Sequence, residues 1–408
     1  MLEASPDRAT PPCRHFGVCG GCHYQHAEYA AQLAMKTGIL HETLERAGLR
    51  ELPEIDVHSA EPLQYRNRIR LQLVLRAEGI VFGYKQAGSH AVVAIEECPI
   101  AAPLLLQTAA PLVALADGSQ ESFALLSGCG EMELFCNADE TELQLSLYQR
   151  EEDSAAAENF GELCEMLKEQ APQLAGAGLY APQKVAGKQR DEPSMRQIAN
   201  WGANTLRYQV GGFRYRVSRG AFFQVNRFIA EELVRHVCEA RSGDLAWDLY
   251  AGVGLFSVAL RHGFKQVLAV EVASPSNKDL AYNLAQSDAA ATKTTEAKSA
   301  GAKAVAATTL DFLRGQLGAT NKKGSGQHAS VPGLIVLDPP RAGLGPDVCA
   351  LLGKIAAPEL VYVSCDPATL SRDLAALIES GYQLRQLHMV DMFPQTFHLE
   401  TVAVLVRT

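Results

Sequence analysis

The chain of 408 residues carries 47% hydrophobic and 20% charged residues at a formal net charge of -9, an ordinary globular composition with room for two or three cores. That charge excludes indiscriminate binding to polyanions, so any nucleic-acid site has to be a local basic groove that selects a structured target. The start lacks the basic and then apolar pattern of a secretory leader, and the longest apolar stretch, Ala101 to Ala116, is broken by Pro103, Gln107, Thr108 and Pro111, which excludes a membrane span.

We therefore expect a cytoplasmic protein, monomeric and without membrane contact, whose ten cysteines act as free thiols, ligands or catalysts and not as disulfides. Three of them stand together in Cys13-Arg14-His15-Phe16-Gly17-Val18-Cys19-Gly20-Gly21-Cys22, and a fourth precedes a proline at Cys98-Pro99. Four thiols with glycines between them suit an iron–sulfur cluster, with a structural four-cysteine zinc site as the rival.

Residues 28–49 carry Tyr29, Leu33, Leu40, Leu44 and Ala47 at helical spacing and stop near Gly48, the pattern of a helix with one face in the core. Next, Tyr65 to Leu73 alternates: Arg66, Arg68 and Arg70 fall on one strand face, with Tyr65, Ile69, Leu71 and Leu73 on the other. Guanidinium groups in such a ladder suit phosphates, although a solvated face gives the same alternation. Glu142 to Leu147 alternates too, and together these runs predict a small antiparallel β domain over residues 51–210 that includes Cys98.

Gly211-Gly212 between two alternating runs signals a two-residue hairpin. Beyond it Phe222-Phe223-Gln224-Val225-Asn226 leads into a helix for which Asn226 is the expected N-cap, with Gln224 at the hinge between domains.

Leu245 to Leu260 reads strand, glycine turn, helix, with Gly252 and Gly254 in the turn and Ser257 as the third small residue. The next strand ends in Glu271, a carboxylate placed to take two ribose hydroxyls. Turn and acid together point to a nucleoside cofactor, NAD or S-adenosylmethionine. Residues 287–309 and 316–333, rich in small and polar residues, read as surface insertions, the second flexible.

Leu334 to Leu337 is a buried strand delivering Asp338, whose direction Pro339 and Pro340 fix. Val361 to Ser364 is another, presenting the thiol of Cys365 at its C-terminal end before Pro367 starts a helix. That end of a parallel sheet is where ligands bind, so Cys365 is a candidate nucleophile, with a packed strand-end thiol as the plain alternative. Near the C-terminus Glu400 precedes a final strand, and a carboxylate in apolar surroundings acquires a raised pKa and can act as a base.

In this order, Phe223-Gln224-Val225-Asn226, Asp248-Leu249-Tyr250-Ala251-Gly252-Val253-Gly254, Asp338-Pro339-Pro340-Arg341, Ser364-Cys365-Asp366-Pro367 and His398-Leu399-Glu400-Thr401 resemble the RNA uracil-C5 methyltransferases that use S-adenosylmethionine. The resemblance runs from about Cys13 to the C-terminus. It implies an α/β fold: a Rossmann-like class I methyltransferase domain over 211–408, the smaller antiparallel β domain over 51–210, and an N-terminal iron–sulfur segment with its helix over 1–50.

It further implies that Cys365 is the nucleophile and Glu400 the general base. Gln224, Tyr250, Glu271 and Asp338 fall where the family contacts S-adenosylmethionine, with Asp311 a further candidate on the adenine side. Cys13, Cys19, Cys22 and Cys98 look like the [4Fe-4S] ligands of the branch acting on bacterial 23S rRNA. Ala251 departs from the cysteine often found beside the glycine turn. Cys13 comes too early for the N-terminal β-barrel of some relatives, so RNA selection is expected from the β domain and cluster region. The target uridine is expected to flip out of its stack into a crevice between the domains, in 23S rRNA, with the T-loop of tRNA as the alternative. A cytosine-C5 enzyme and a non-catalytic iron–sulfur RNA-binding factor are the remaining rivals.

Overall fold

The computed structural model describes residues 3–183, 194–291, 301–320 and 331–408. In chain order, α1 (Tyr29–Arg46) and β1 (Ile55–His58) precede β2 (Arg68–Arg76), β3 (Gly79–Lys85) and β4 (Val92–Ala94). Helices α2 (Pro103–Gly118) and α3 (Gln120–Gly128) lead to β5 (Cys129–Cys136), β6 (Leu143–Gln149), α4 (Ser154–Gln170), β7 (Leu174–Gln183) and β8 (Ser194–Gly202). After β9 (Thr205–Val210) and β10 (Phe213–Ser218), helices and strands alternate: α5 (Ala230–Cys238), β11 (Gly243–Leu249), α6 (Leu255–Leu260), β12 (Phe264–Val270), α7 (Ser276–Ala291), β13 (Gly301–Val305) and α8 (Thr309–Thr320). The run closes with β14 (Leu334–Leu337), α9 (Gly345–Ile355), β15 (Glu359–Ser364), α10 (Pro367–Glu379), β16 (Tyr382–Val390) and β17 (Glu400–Arg407).

The elements form two units, one of residues 1–29, 61–208 and 225–228, the other of 30–60, 209–224 and 229–408. This division does not follow the 1–50, 51–210 and 211–408 segments: α1 and β1 belong with the second unit, because β1 pairs in parallel with β16.

The first unit is built on a seven-stranded sheet in the order β4-β3-β2-β5-β6-β7-β8. It is antiparallel except between β6 and β7, which run parallel because α4 crosses between them. The alternation of β2 works as expected, with Ile69, Leu71 and Leu73 buried against Leu105, Leu112, Leu126 and Leu163 of the helices. What the arginine face meets differs from the expected phosphate ladder. Arg68 lies over the Phe135 ring at 3.9 Å, and Arg70 donates to Glu131 at 2.6 Å while covering Tyr148. Arg66 Nε donates to the Arg68 carbonyl at 3.1 Å. Arg68 and Arg70 are engaged by the neighbouring strands β5 and β6, a use that alternation within β2 alone does not reveal.

The second unit holds an eight-stranded sheet in the order β1-β16-β17-β15-β14-β11-β12-β13. Its interior strands are parallel, and β17 runs antiparallel between β15 and β16. Leu334–Leu337 and Leu360–Val363 are wholly buried, the continuous apolar reading of strands covered on both faces. Of the expected insertions at 287–309 and 316–333, residues 292–300 and 321–330 lie outside the described residues. The described part corrects the first, because Gly301–Val305 forms the parallel edge strand β13, which a short lysine-containing run signals poorly. Asn226 is not a helix cap: its side chain accepts the Phe228 N–H at 3.0 Å in a turn, and α5 starts later, at Ala230. Among the described residues no helix is long and apolar enough to cross a membrane.

Candidate active site and thiol cavity

Two strand ends of the second unit bring the predicted nucleophile and base together. β15 and β17 pair antiparallel with Ser364 opposite Thr401, so the next position in that register sets Cys365 against Glu400. Asp366 then accepts the Ala368 and Thr369 N–H groups at 3.0 and 2.9 Å, and Pro367 occupies the first turn of α10. Cap and proline end the strand at the thiol. Glu400 is the first residue of β17, not the residue before it, and is 4% exposed.

The electrostatics follow from this burial. Loss of solvent, and then the charge of Glu400, push the Cys365 thiol up to about 11, opposed by the guanidinium of Arg341, which also hydrogen-bonds it. Burial and the neighbouring Asp338 hold Glu400 well above the usual carboxylate range. Burial likewise raises Asp338, with Asp248 adding to the shift. A half-buried thiol, the buried Glu400, the partly buried Asp338 and the exposed guanidinium of Arg341 thus act on one another, and ionising either acid depends on a cation nearby.

Beside it lies the glycine turn. Gly252 and Gly254 take φ of +56° and +96°, and a Cβ on Gly254 would stand 2.8 Å from Leu280 Cδ1. Tyr250 holds φ +66°, rare for an aromatic residue and costly unless its surroundings enforce it. Glu271 accepts the Gly252 N–H at 2.9 Å through Oε2 and the Ala273 N–H at 2.6 Å through Oε1. Each oxygen keeps a lone pair for a hydroxyl, and the turn is tied to the acid that the sequence paired with it. Asp248 is buried, accepts a short hydrogen bond from Ser257, and is pushed up to about 7 chiefly by burial. Gln224 is buried. Asp311 accepts a hydrogen bond from Thr308 at 2.7 Å.

Sequence reasoning missed the groups that hold the loop before Glu400. Lys36 Nζ donates to Asp391 Oδ1 at 2.6 Å and to the Phe393 carbonyl at 2.9 Å, and both side chains of that ion pair are fully buried. Gln32 donates to Gln395 Oε1 at 2.9 Å and accepts the Gln395 N–H at 3.1 Å. The signal was present: Gln32 and Lys36 continue the Leu40 and Leu44 stripe of α1 at four-residue steps. Arg341, met only as a motif letter, is the other omission.

In the first unit, Cys13, Cys19, Cys22 and Cys98 line one cavity of about 290 Å³ together with His15, Gln25, Arg66, Arg70 and Tyr84. None of the ten cysteines is in a disulfide. Burial raises the thiols of Cys19 and Cys98, and that of Cys22 to about 12. Against this work donors to sulfur: the Gly21 backbone for Cys19, the Gln25 side chain for Cys22, and backbone groups with Tyr84 for Cys98. His15 Nε2 is buried and has no hydrogen-bond partner among the described residues.

Residues 28–408 match the family described as tRNA (Uracil-5-)-methyltransferase. The chain belongs to this family. It is an S-adenosylmethionine-dependent RNA uracil-C5 methyltransferase. A 23S rRNA (uracil(1939)-C(5))-methyltransferase of Chromohalobacter salexigens is 32% identical over all of this chain and 78% of its own. An uncharacterized RNA methyltransferase of Thermotoga maritima is 28% identical over all of this chain and 87% of its own. The fold is similar to that of Pyrococcus abyssi tRNA (uracil-54, C5)-methyltransferase in complex with S-adenosyl-L-homocysteine, at a TM-score of 0.73 and 23% identity over 100% of this chain and 88% of that one.

Proposed function

We propose that this methyltransferase modifies a uridine of 23S rRNA through a covalent bond between Cys365 and C6 of the uracil ring, with Glu400 as general base. The observation that carries this reading is the Ser364–Thr401 register, which sets a thiol against a buried carboxyl with Arg341 beside them. Cys365 Sγ adds to C6, and the electron pair of the C5–C6 double bond moves toward O4, making C5 nucleophilic. S-adenosylmethionine, when bound, would supply the electrophilic methyl group, its sulfonium sulfur keeping the electron pair of the broken methyl–sulfur bond and becoming a neutral thioether. C5 gains a carbon–carbon bond, Glu400 takes the C5 proton, the double bond re-forms, and the C6–S bond breaks to return the thiolate. Arg341 stabilises the thiolate at both ends of the cycle.

Gln224, Tyr250, Glu271 and Asp338 are the residues we assign to the cofactor, Glu271 through the ribose hydroxyls. The choice of 23S rRNA is supported by the relatives at 30 to 32% identity described as acting on it. RNA carrying 5-fluorouridine blocks the proton step and should trap an adduct with the intact protein and none with Cys365→Ala; an undiminished adduct in that variant refutes the nucleophile. Mapping 5-methyluridine in a deletion strain should show loss from the large-subunit rRNA, whereas loss from the tRNA T-loop would select the other substrate.

We assign Cys13, Cys19, Cys22 and Cys98 to a [4Fe-4S] cluster, which would supply cross-linking of the N-terminal loop to the sheet and no step of methyl transfer. The donor set fits: four thiols with N–H and O–H donors around them. A brown anaerobic preparation with about four irons per chain supports this; a colourless protein with stoichiometric zinc refutes it.

A further inference from the structure

Three histidines brought together in the second unit take no part in the chemistry above. His58 ends β1, His236 lies on α5 and His388 on β16. One nitrogen from each ring lies within 4.8 Å of those from the other two. Ring centroids are 4.0 Å apart for His58 and His236, and 4.3 Å for His236 and His388. His58 Nε2 and His388 Nδ1 stand 3.3 Å apart, and a tetrahedral ion at about 2.0 to 2.1 Å from each nitrogen requires an edge of about 3.3 to 3.4 Å.

The surroundings are those of a built site. Glu232 Oε1 lies 3.3 Å from His58 Nδ1 and 3.0 Å from His236 Nε2. A carboxylate on the far nitrogen of a ligating imidazole fixes its tautomer and orientation. Asp56 Oδ2 is 3.5 Å from His388 Nδ1, the nitrogen that faces His58, so this carboxylate stands on the ion side of the ring. Arg235 also engages Glu232 and makes that carboxylate a shared outer partner, leaving a fourth ligand position for water. The side chains of His236 and His388 are about 10% exposed and that of His58 21%, so an ion can enter past His58.

We propose that His58, His236 and His388 bind a divalent cation of the zinc type. The ion ties the edge strand β1 to β16 and α5, and so secures a strand of this sheet that comes from the N-terminal part of the chain. It also bears on the catalytic loop, since the His58 carbonyl accepts the Asp391 N–H at 2.8 Å. Imidazole nitrogen is a ligand that zinc prefers over magnesium or calcium, which take oxygen.

The test is zinc uptake by the full chain after chelator treatment, compared with His58→Gln/His388→Gln and with Cys13→Ser/Cys22→Ser. Wild type should bind one equivalent more than the histidine variant and melt several degrees higher when loaded, and the cysteine variant should retain that equivalent. Equal uptake by wild type and a folded histidine variant overturns the site and leaves a packed stack of imidazoles. Should the histidine variant fail to fold, cobalt-loaded wild type decides: hyperfine-shifted imidazole N–H resonances support the site, and their absence overturns it.

Discussion

At the scale of single residues, the site combines groups whose burial opposes the charges that catalysis needs. A Cys365 thiol pushed up to about 11 is almost wholly protonated at neutral pH, so its alkylation by iodoacetamide should climb continuously from pH 7 to 10 without a plateau. Glu400→Gln removes a neighbouring negative charge and should bring that rise to lower pH; Arg341→Gln removes the opposing guanidinium and should move it higher. Mass spectrometry of the Cys365 peptide after timed labelling reads both shifts. Asp248 gives a second pH signature. Its folded pKa of about 7 lies above the unfolded value, so the fold binds this proton more tightly. The stabilisation is complete below about pH 4 and is lost as pH rises toward 7, by up to about 4 kcal/mol at 1.36 kcal/mol per unit. Asp248→Asn keeps an oxygen for Ser257 and should remove that slope; urea denaturation from pH 4.5 to 7.5 would show it as a wild-type minus variant difference.

At the scale of elements, α1 does more than pack. Its buried Lys36 and Gln32 hold the 391–395 segment that leads into Glu400. Lys36→Met leaves Asp391 buried without its cation, at a cost of about 3 to 5 kcal/mol, whereas adding Asp391→Leu removes the orphaned charge and recovers most of it. If the pair positions Glu400, the single variant also slows proton removal, and methylated RNA still bound to Cys365 should accumulate while cofactor affinity stays unchanged. Denaturation curves and gel-resolved adducts check the two halves. The same helix marks the limit of what the chain discloses in one dimension. The glycine turn, the strand-end positions of Cys365 and Asp338, and the buried stripe at Leu40 and Leu44 were legible, because each rests on local periodicity or on backbone chemistry. The partner of Lys36 was not, since Asp391 lies 355 residues away. Likewise, alternation said that Arg66, Arg68 and Arg70 share a face but not that Phe135 and Glu131 of β5 engage Arg68 and Arg70.

At the scale of the whole molecule, the chain interleaves two units that each have their own core, with the four thiols in one and Cys365 with the glycine turn in the other. A cluster that ligates only the folded form adds its binding free energy to the unit that contains its ligands. With the cluster proposed above, removing its iron should therefore lower the unfolding temperature of the first unit and leave that of the second within a degree or two, so that calorimetry on the depleted protein resolves two transitions. Cys19→Ser should reproduce this, and its affinity for S-adenosylmethionine should stay within about twofold of wild type, because Glu271 and the Gly252 turn belong to the other core. A cofactor affinity that collapsed together with the iron content would show that the two cores unfold as one, and the cluster would then have to be counted among the supports of the methyl-transfer site.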